Sequence, residues 1–315
     1  MKKFMIMAAA VMMSLSATAQ SSPEAKAIKK MKSYTEVLEA IKANGAAFDN
    51  ADKAFAYNKL VDLAIKENSE SEKAAIEAQL AKNAEQQTKM NVAKNASAYN
   101  ALQAAMQCNA VDEKGKYKNK NVNRLMTIRN SMVQAGLDAY NSKDYTSATK
   151  YFGAFVETRT DALFNEADFS REQNFGQIAY YAALAAYFNK DYKKCDQYSD
   201  AALNSSERDS IANDVIIVKL GAYEEQAKTA AMDSATYVKN VRAMYDLFPE
   251  NENIFGKLVG LYEEVGDKAS AKSLLDTRLA SNPNDAMANA YVGQTAQAEQ
   301  KYDEAIAAYK KSIAS

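Results

Sequence analysis

Apolar residues recur at helical spacing along most of this chain. Phe255, Leu258 and Tyr262 fall at i, i+3 and i+7, which makes one stripe on one helical face. Ser21-Ser22-Pro23-Glu24 predicts a helix entry, with proline near the first turn, and that helix runs to about Ala43 before Asn44-Gly45. Asn50 or Asp52 caps a second helix, in which Phe55, Leu60, Leu63 and Ile65 supply the apolar positions to about Lys66. Ser69 to Ala110 contains neither Gly nor Pro and reads as one long helix or two abutting ones. Its apolar residues keep no sustained heptad, so the expectation is a packed helical hairpin rather than a coiled coil. The sharper alternative is a projecting arm for self-association. Val111 to Asn123, with Lys114, Lys116, Lys118 and Lys120, reads as a solvated polar linker rather than an anion-binding patch.

The last third repeats itself. Phe248-Pro249-Glu250 and Asn282-Pro283-Asn284 are equivalent, and the two prolines stand 34 residues apart. Each proline ends a helix. Gly293 and Ala305 are small positions that let two helices approach closely. Tyr302 closes the turn between them and Tyr309 fills the space to the next unit. The preceding unit has Phe255, Leu258 and Tyr262, then Gly266 in the turn, then Ala271 and Leu275. Asp303-Glu304 suits the positive start of a helix and Lys310-Lys311 its negative end.

This pattern resembles the tetratricopeptide repeat (TPR) family, with Phe255 and Asn289 where the usual first-helix tryptophan stands. Looser units start near residues 129, 176 and 213, and the strict ones near 252 and 286. In the first, Gly136 and Ala139 precede Tyr145, Ala148 and Phe152; in the second, Ala183 and Ala186 precede Tyr192 and Cys195. Asp161 to Phe175 is an insertion, and about five extra residues fall around Gln226 to Asp233 before Ser234 caps the next helix. The expected fold class is all-α: a TPR-type helix–turn–helix solenoid over residues 129–315, in about five repeats. It follows a signal peptide (1–19), an N-terminal helical region (20–115: a degenerate repeat plus a long hairpin) and a linker (116–128).

Composition agrees with helix, since only 3 prolines and 10 glycines interrupt 315 residues. Met1 to Ala19 reads as a secretory signal, with Lys2-Lys3, an apolar run and the cleavage site Ala17-Thr18-Ala19. Gln20 directly after the cleaved alanine resembles exported proteins of the Bacteroides group, so the expected location is periplasmic or secreted. No cysteine follows the cleavage site to take a lipid, and the apolar run is too short to span a bilayer well. The net charge is −1, and losing Lys2 and Lys3 makes it −3, so no basic field exists for nucleic acid.

The chain has no histidine, which removes Ser-His-Asp and Cys-His catalysis and His-ligated zinc. Two cysteines cannot build a thiolate metal site. Cys108 and Cys195 could pair in an oxidising compartment, but Cys195 stands where a repeat places a small buried side chain, so a free thiol is expected. No cofactor, metal or catalytic residue is assigned. Adjacent glutamates in Glu224-Glu225 and Glu263-Glu264 point apart on a helix. Stacking could instead align Glu224 with Glu263 as an acidic stripe, equally readable as solvated carboxylates.

The TPR resemblance implies that first helices line a concave groove. It thereby marks Asn130, Gln134, Gln177, Tyr180, Tyr181, Tyr187, Glu224, Lys257, Glu263, Tyr291 and Gln294 as groove candidates. Some of the cluster Tyr180, Tyr181, Tyr187 and Phe188 must be core. Too few basic groove residues occur for the subclass that clamps a terminal carboxylate. The reading is an exported, non-catalytic scaffold that binds a protein or extended peptide, with self-association through the C-terminal repeat as a further expectation. The alternative is a cell-envelope carbohydrate- or nutrient-binding protein, and a carboxylate hydrolase is the third reading.

Overall fold

The computed structural model describes residues 22–170 and 172–314, and the signal segment 1–19 lies outside them. The described residues are all-α, with no strand, and none of their helices is long and apolar enough to cross a membrane. The chain divides into two compact units. The first holds residues up to Met132 together with Thr158–Ala167, and the second holds Val133–Glu157 and Asp168 onward.

The first unit begins with α1 (Pro23–Ile28) and α2 (Tyr34–Asn44). The single helix expected to about Ala43 is thus broken. Ser33 starts a new helix by accepting a hydrogen bond from the Glu36 amide at 3.3 Å. Next come α3 (Asn50–Leu80), capped by Asp49, and α4 (Ala84–Val111). The short helix expected to about Lys66 instead continues to Leu80, and α3 and α4 pack together as a long hairpin. The segment expected as a linker, 116–128, is helical from Lys118, because α5 spans Lys118–Asn141. Its residues have work that a loop would not do. Arg124 donates to Asp62 and, at 3.0 Å, to Asn58, while Leu125 is fully buried. The insertion after residue 160 folds into a 3-10 turn (Ala162–Phe164), anchored by fully buried Leu163 and Phe164.

The second unit is a series of hairpins: the end of α5 with α6 (Tyr145–Thr158), α7 (Phe175–Phe188) with α8 (Tyr192–Leu203), α9 (Arg208–Lys228) with α10 (Ser234–Leu247), α11 (Glu252–Glu264) with α12 (Lys268–Ser281), and α13 (Ala286–Ala298) with α14 (Tyr302–Ile313). Helices α10 and α12 each end two residues before a proline, at Leu247 and Ser281. Asp233, rather than Ser234, caps α10.

One turn recurs between paired helices. Lys143, Lys190, Gly266 and Gln300 take φ of 60°, 60°, 78° and 62°. The following amide then donates five residues back: Asp144 to Ala139 O, Asp191 to Ala186 O, Asp267 to Tyr262 O and Lys301 to Ala296 O, at 2.8–2.9 Å. This ends one helix with its last carbonyls satisfied. In three of the four the same residue begins the next helix, as Asp144, Asp191 and Asp267 accept from the amide three residues on. Lys82 and Asn83 join α3 to α4 in the same way.

Small residues set how closely the paired helices approach. Ala148, Cys195, Ala271 and Ala305 each lie three residues into the second helix, and all are buried. On the first helices, Gly136 faces the Phe152 ring and Gly293 the Tyr309 ring. Around α11 the core is continuous: Ile254, Phe255, Leu258 and Val259 are fully buried and join Ile216 of α9 and Ala288 of α13. Each such Leu, Ile or Phe stabilises by about 1.5–3 kcal/mol over leaving it exposed.

Candidate functional site

A cavity of about 680 Å³ opens in the second unit, where α9, α10, α11 and α13 meet. Its floor is nearly bare helix. Gly256 and Gly260 lie one turn apart on α11, and a Cβ on Gly260 would meet nothing within 4 Å. Tyr291 reaches over from α13 and donates its hydroxyl to Gly256 O at 3.1 Å, which an alanine at 256 would crowd. Tyr237 and Met232 form the α10 side, with Leu261 and Val265 adding apolar wall. Met232 lies among the extra residues between α9 and α10, its amide donating to Gln226 O at 3.1 Å.

Charge at the rim is paired. Lys257 bridges to Glu224 at 2.9 Å, and Lys228 to Glu224 at 2.9 Å and Glu225 at 3.0 Å. Hydrogen bonds from Lys257 and Lys228 hold the Glu224 carboxyl down at about 2. Burial opposes the charge on Lys257, but Glu224 and Tyr237 together more than offset this and keep the ammonium above its usual range. The hydroxyl of Tyr237 is buried beside this ammonium. Glu224 therefore contributes no free charge to an acidic stripe. It is the acid of a two-lysine pair, a correction that follows from Lys257 standing one repeat away on the neighbouring first helix.

Glu224, Lys257 and Tyr291 thus share this cavity. Glu263 and Gln294 line a second one, about 700 Å³, framed by α11, α12, α13 and α14. Tyr181 lies in an aromatic seam, 6.1 Å from Phe152 in stacked geometry and 6.1 Å from Tyr140 edge-on. Phe188 continues the seam by stacking on Tyr145 at 4.9 Å. Tyr187 packs over Gly221 of α9, and Tyr180 and Gln177 are half-buried on α7. Gln134 is exposed and donates to Asp138 at 2.7 Å. Asn130 belongs to the first unit, where it accepts from buried Arg129 at 3.4 Å.

The sequence reading missed Lys228, Met232, Tyr237, Gly256, Gly260 and Glu264. Two glycines one turn apart inside a strong helix were the available signal. A second polar group is structural: buried Lys219 pairs with Asp200 and with Asp196 at 2.9 Å, and Tyr223 donates to Asp196 at 2.6 Å, tying α8 to α9. Both cysteines are buried and free, and burial pushes each thiol up to about 12.

No protein-family model matches this chain, and no curated protein matches it. Among solved structures it is similar to the TPR domain of P58(IPK), at 14% identity over 89% of this chain and 92% of that one, with a TM-score of 0.24.

Proposed function

We propose that this chain is an exported, non-catalytic scaffold that binds an extended peptide segment of a protein partner in the cavity between α9, α10, α11 and α13. The observation that carries this is the Gly256–Gly260 floor. Half-buried helix backbone, open at Gly260 and flanked by Tyr237 and Tyr291, admits a side chain or a peptide backbone at close range. Its volume lies within the about 300–1,000 Å³ usual for ligand sites. The paired lysines and Glu224 at the rim favour hydrogen bonding along a peptide over capture of one strong charge. Glu224 and Glu263 line separate cavities, which argues against a hydrolase built on that pair of carboxylates.

The test is crosslinking in the native cell, followed by binding of the captured segment to the wild type and to Gly260→Leu. A Cβ at 260 meets open space and leucine is the better helix former, so the melting temperature should hold or rise while affinity falls at least ~10-fold. Unchanged affinity would remove the site, and a glycan bound in calorimetry with no peptide captured would favour the carbohydrate reading. Fractionation of the source cells tests export separately.

A further inference from the structure

The α3–α4 hairpin extends beyond what covers its base. Near the base, Ala54, Leu60, Val61 and Ala64 are buried, and Tyr34 of α2 reaches as far as Glu67, its amide donating to the carboxylate at 3.4 Å. Between Ile65 and Ala96, only Ala75 and Ala78 are buried. These small residues let the two helices close on each other, and the other side chains of that stretch are half-buried or exposed among the described residues. Three large apolar side chains there face solvent: Ile76 at 52%, Leu80 at 79% and Val92 at 61% exposure.

The charges on this arm are sorted by helix. Its α3 half carries Glu67, Glu70, Glu72 and Glu77 against Lys66 and Lys73, whereas the turn and α4 carry Lys82, Lys89 and Lys94 against Glu85. Apart from Lys66 and Glu70, which meet at 3.6 Å, none of these side chains is ion-paired among the described residues. One helix is acidic, the other basic, and exposed apolar residues accompany both.

We propose that this arm pairs with the same arm of a second copy, α3 of each lying antiparallel to α4 of the other. A two-fold axis makes the contact self-complementary: every acidic α3 meets a basic α4, and Ile76, Leu80 and Val92 are withdrawn from water. The product is a four-helix arrangement, the common way for two hairpins to bury an apolar face.

The experiment is light scattering on the full mature chain across protein and salt concentration. A dimer that loosens in high salt is expected. Leu80→Asp, at a position too exposed to matter for folding, should keep the melting temperature and weaken the dimer at least ~10-fold. Glu72→Lys with Glu77→Lys should be monomeric alone and should form a mixed dimer with Lys89→Glu plus Lys94→Glu. A wild type that is monomeric throughout overturns the proposal. So does a dimer that survives Leu80→Asp but is lost on Ile306→Asp in α14, which would place association at the C-terminal hairpin.

Discussion

The ring of Phe152 occupies the space that a side chain on Gly136 would need: a Cβ there would stand 2.6 Å from the ring. Phe152 is fully buried and cannot step aside. Gly136→Ala should therefore lose about 1–3 kcal/mol to overpacking, although alanine is the better helix former. Gly260→Ala meets open space and should gain about 0.5–1 kcal/mol. Chemical denaturation of the two variants should shift in opposite directions, and shifts of the same sign would contradict the geometry.

The last hairpin turn is the weakest of its kind. Gln300 holds a left-handed conformation that Gly266 adopts without a steric penalty, and Lys301 offers no side-chain cap where its counterparts are aspartates. Gln300→Gly and Lys301→Asp should each stabilise by about 1 kcal/mol. Thermal melts should show both gains, and because the residues are adjacent the double mutant is the check on additivity.

The Glu224 pair has a defined pH signature. A depressed carboxyl contributes stability that is present above its ordinary value of 4.5 and is lost as pH falls toward about 2. The side chain is 42% exposed, so solvent screening keeps the contribution under about 1 kcal/mol. Lys257→Met should raise the Glu224 midpoint in a carboxyl-carbon NMR titration and flatten the acid limb between those values. An unmoved midpoint would mean that Lys257 is not the partner.

Thiol chemistry should be silent in the folded chain. Cys108 is fully buried and its thiol donates to Ala54 O at 3.3 Å, while Cys195 fills a small position between helices. With both held near 12, alkylation at neutral pH should be negligible until denaturant is added, and then both sites should react. Fast labelling of either in the native state would contradict its burial.

The hairpins from Glu252 onward were the most legible part of the sequence, because proline stops, Gly266 and the small positions repeat in register. The start of α5 was not, because its lysines resemble a solvated loop. What makes that stretch helical is distant in sequence: Asp62 for Arg124, and Thr158, which accepts from buried Arg129 at 2.7 Å. The break at Ser33 was hidden for a related reason, since serine is compatible with a helix until the chain must turn. Glu224, Lys257 and Tyr291 were each marked as groove candidates, but stacking was expected to set Glu224 beside Glu263, whereas its partner is Lys257 and Glu263 lines the other cavity. Tyr237 and Met232 were not marked, because their position depends on how the extra residues after α9 fold.

The turn in which Asp144, Asp191 or Asp267 closes one helix and opens the next has a consequence for how such a chain can change. Three hairpins carry that stop and start within a few residues, and between hairpins Asn251 and Asp285 start α11 and α13 just past Pro249 and Pro283, so a whole hairpin could be gained or lost as a cassette without re-engineering its neighbours. Growth or shrinkage would come in fixed steps, each altering the footprint offered to an occupant by one hairpin's width.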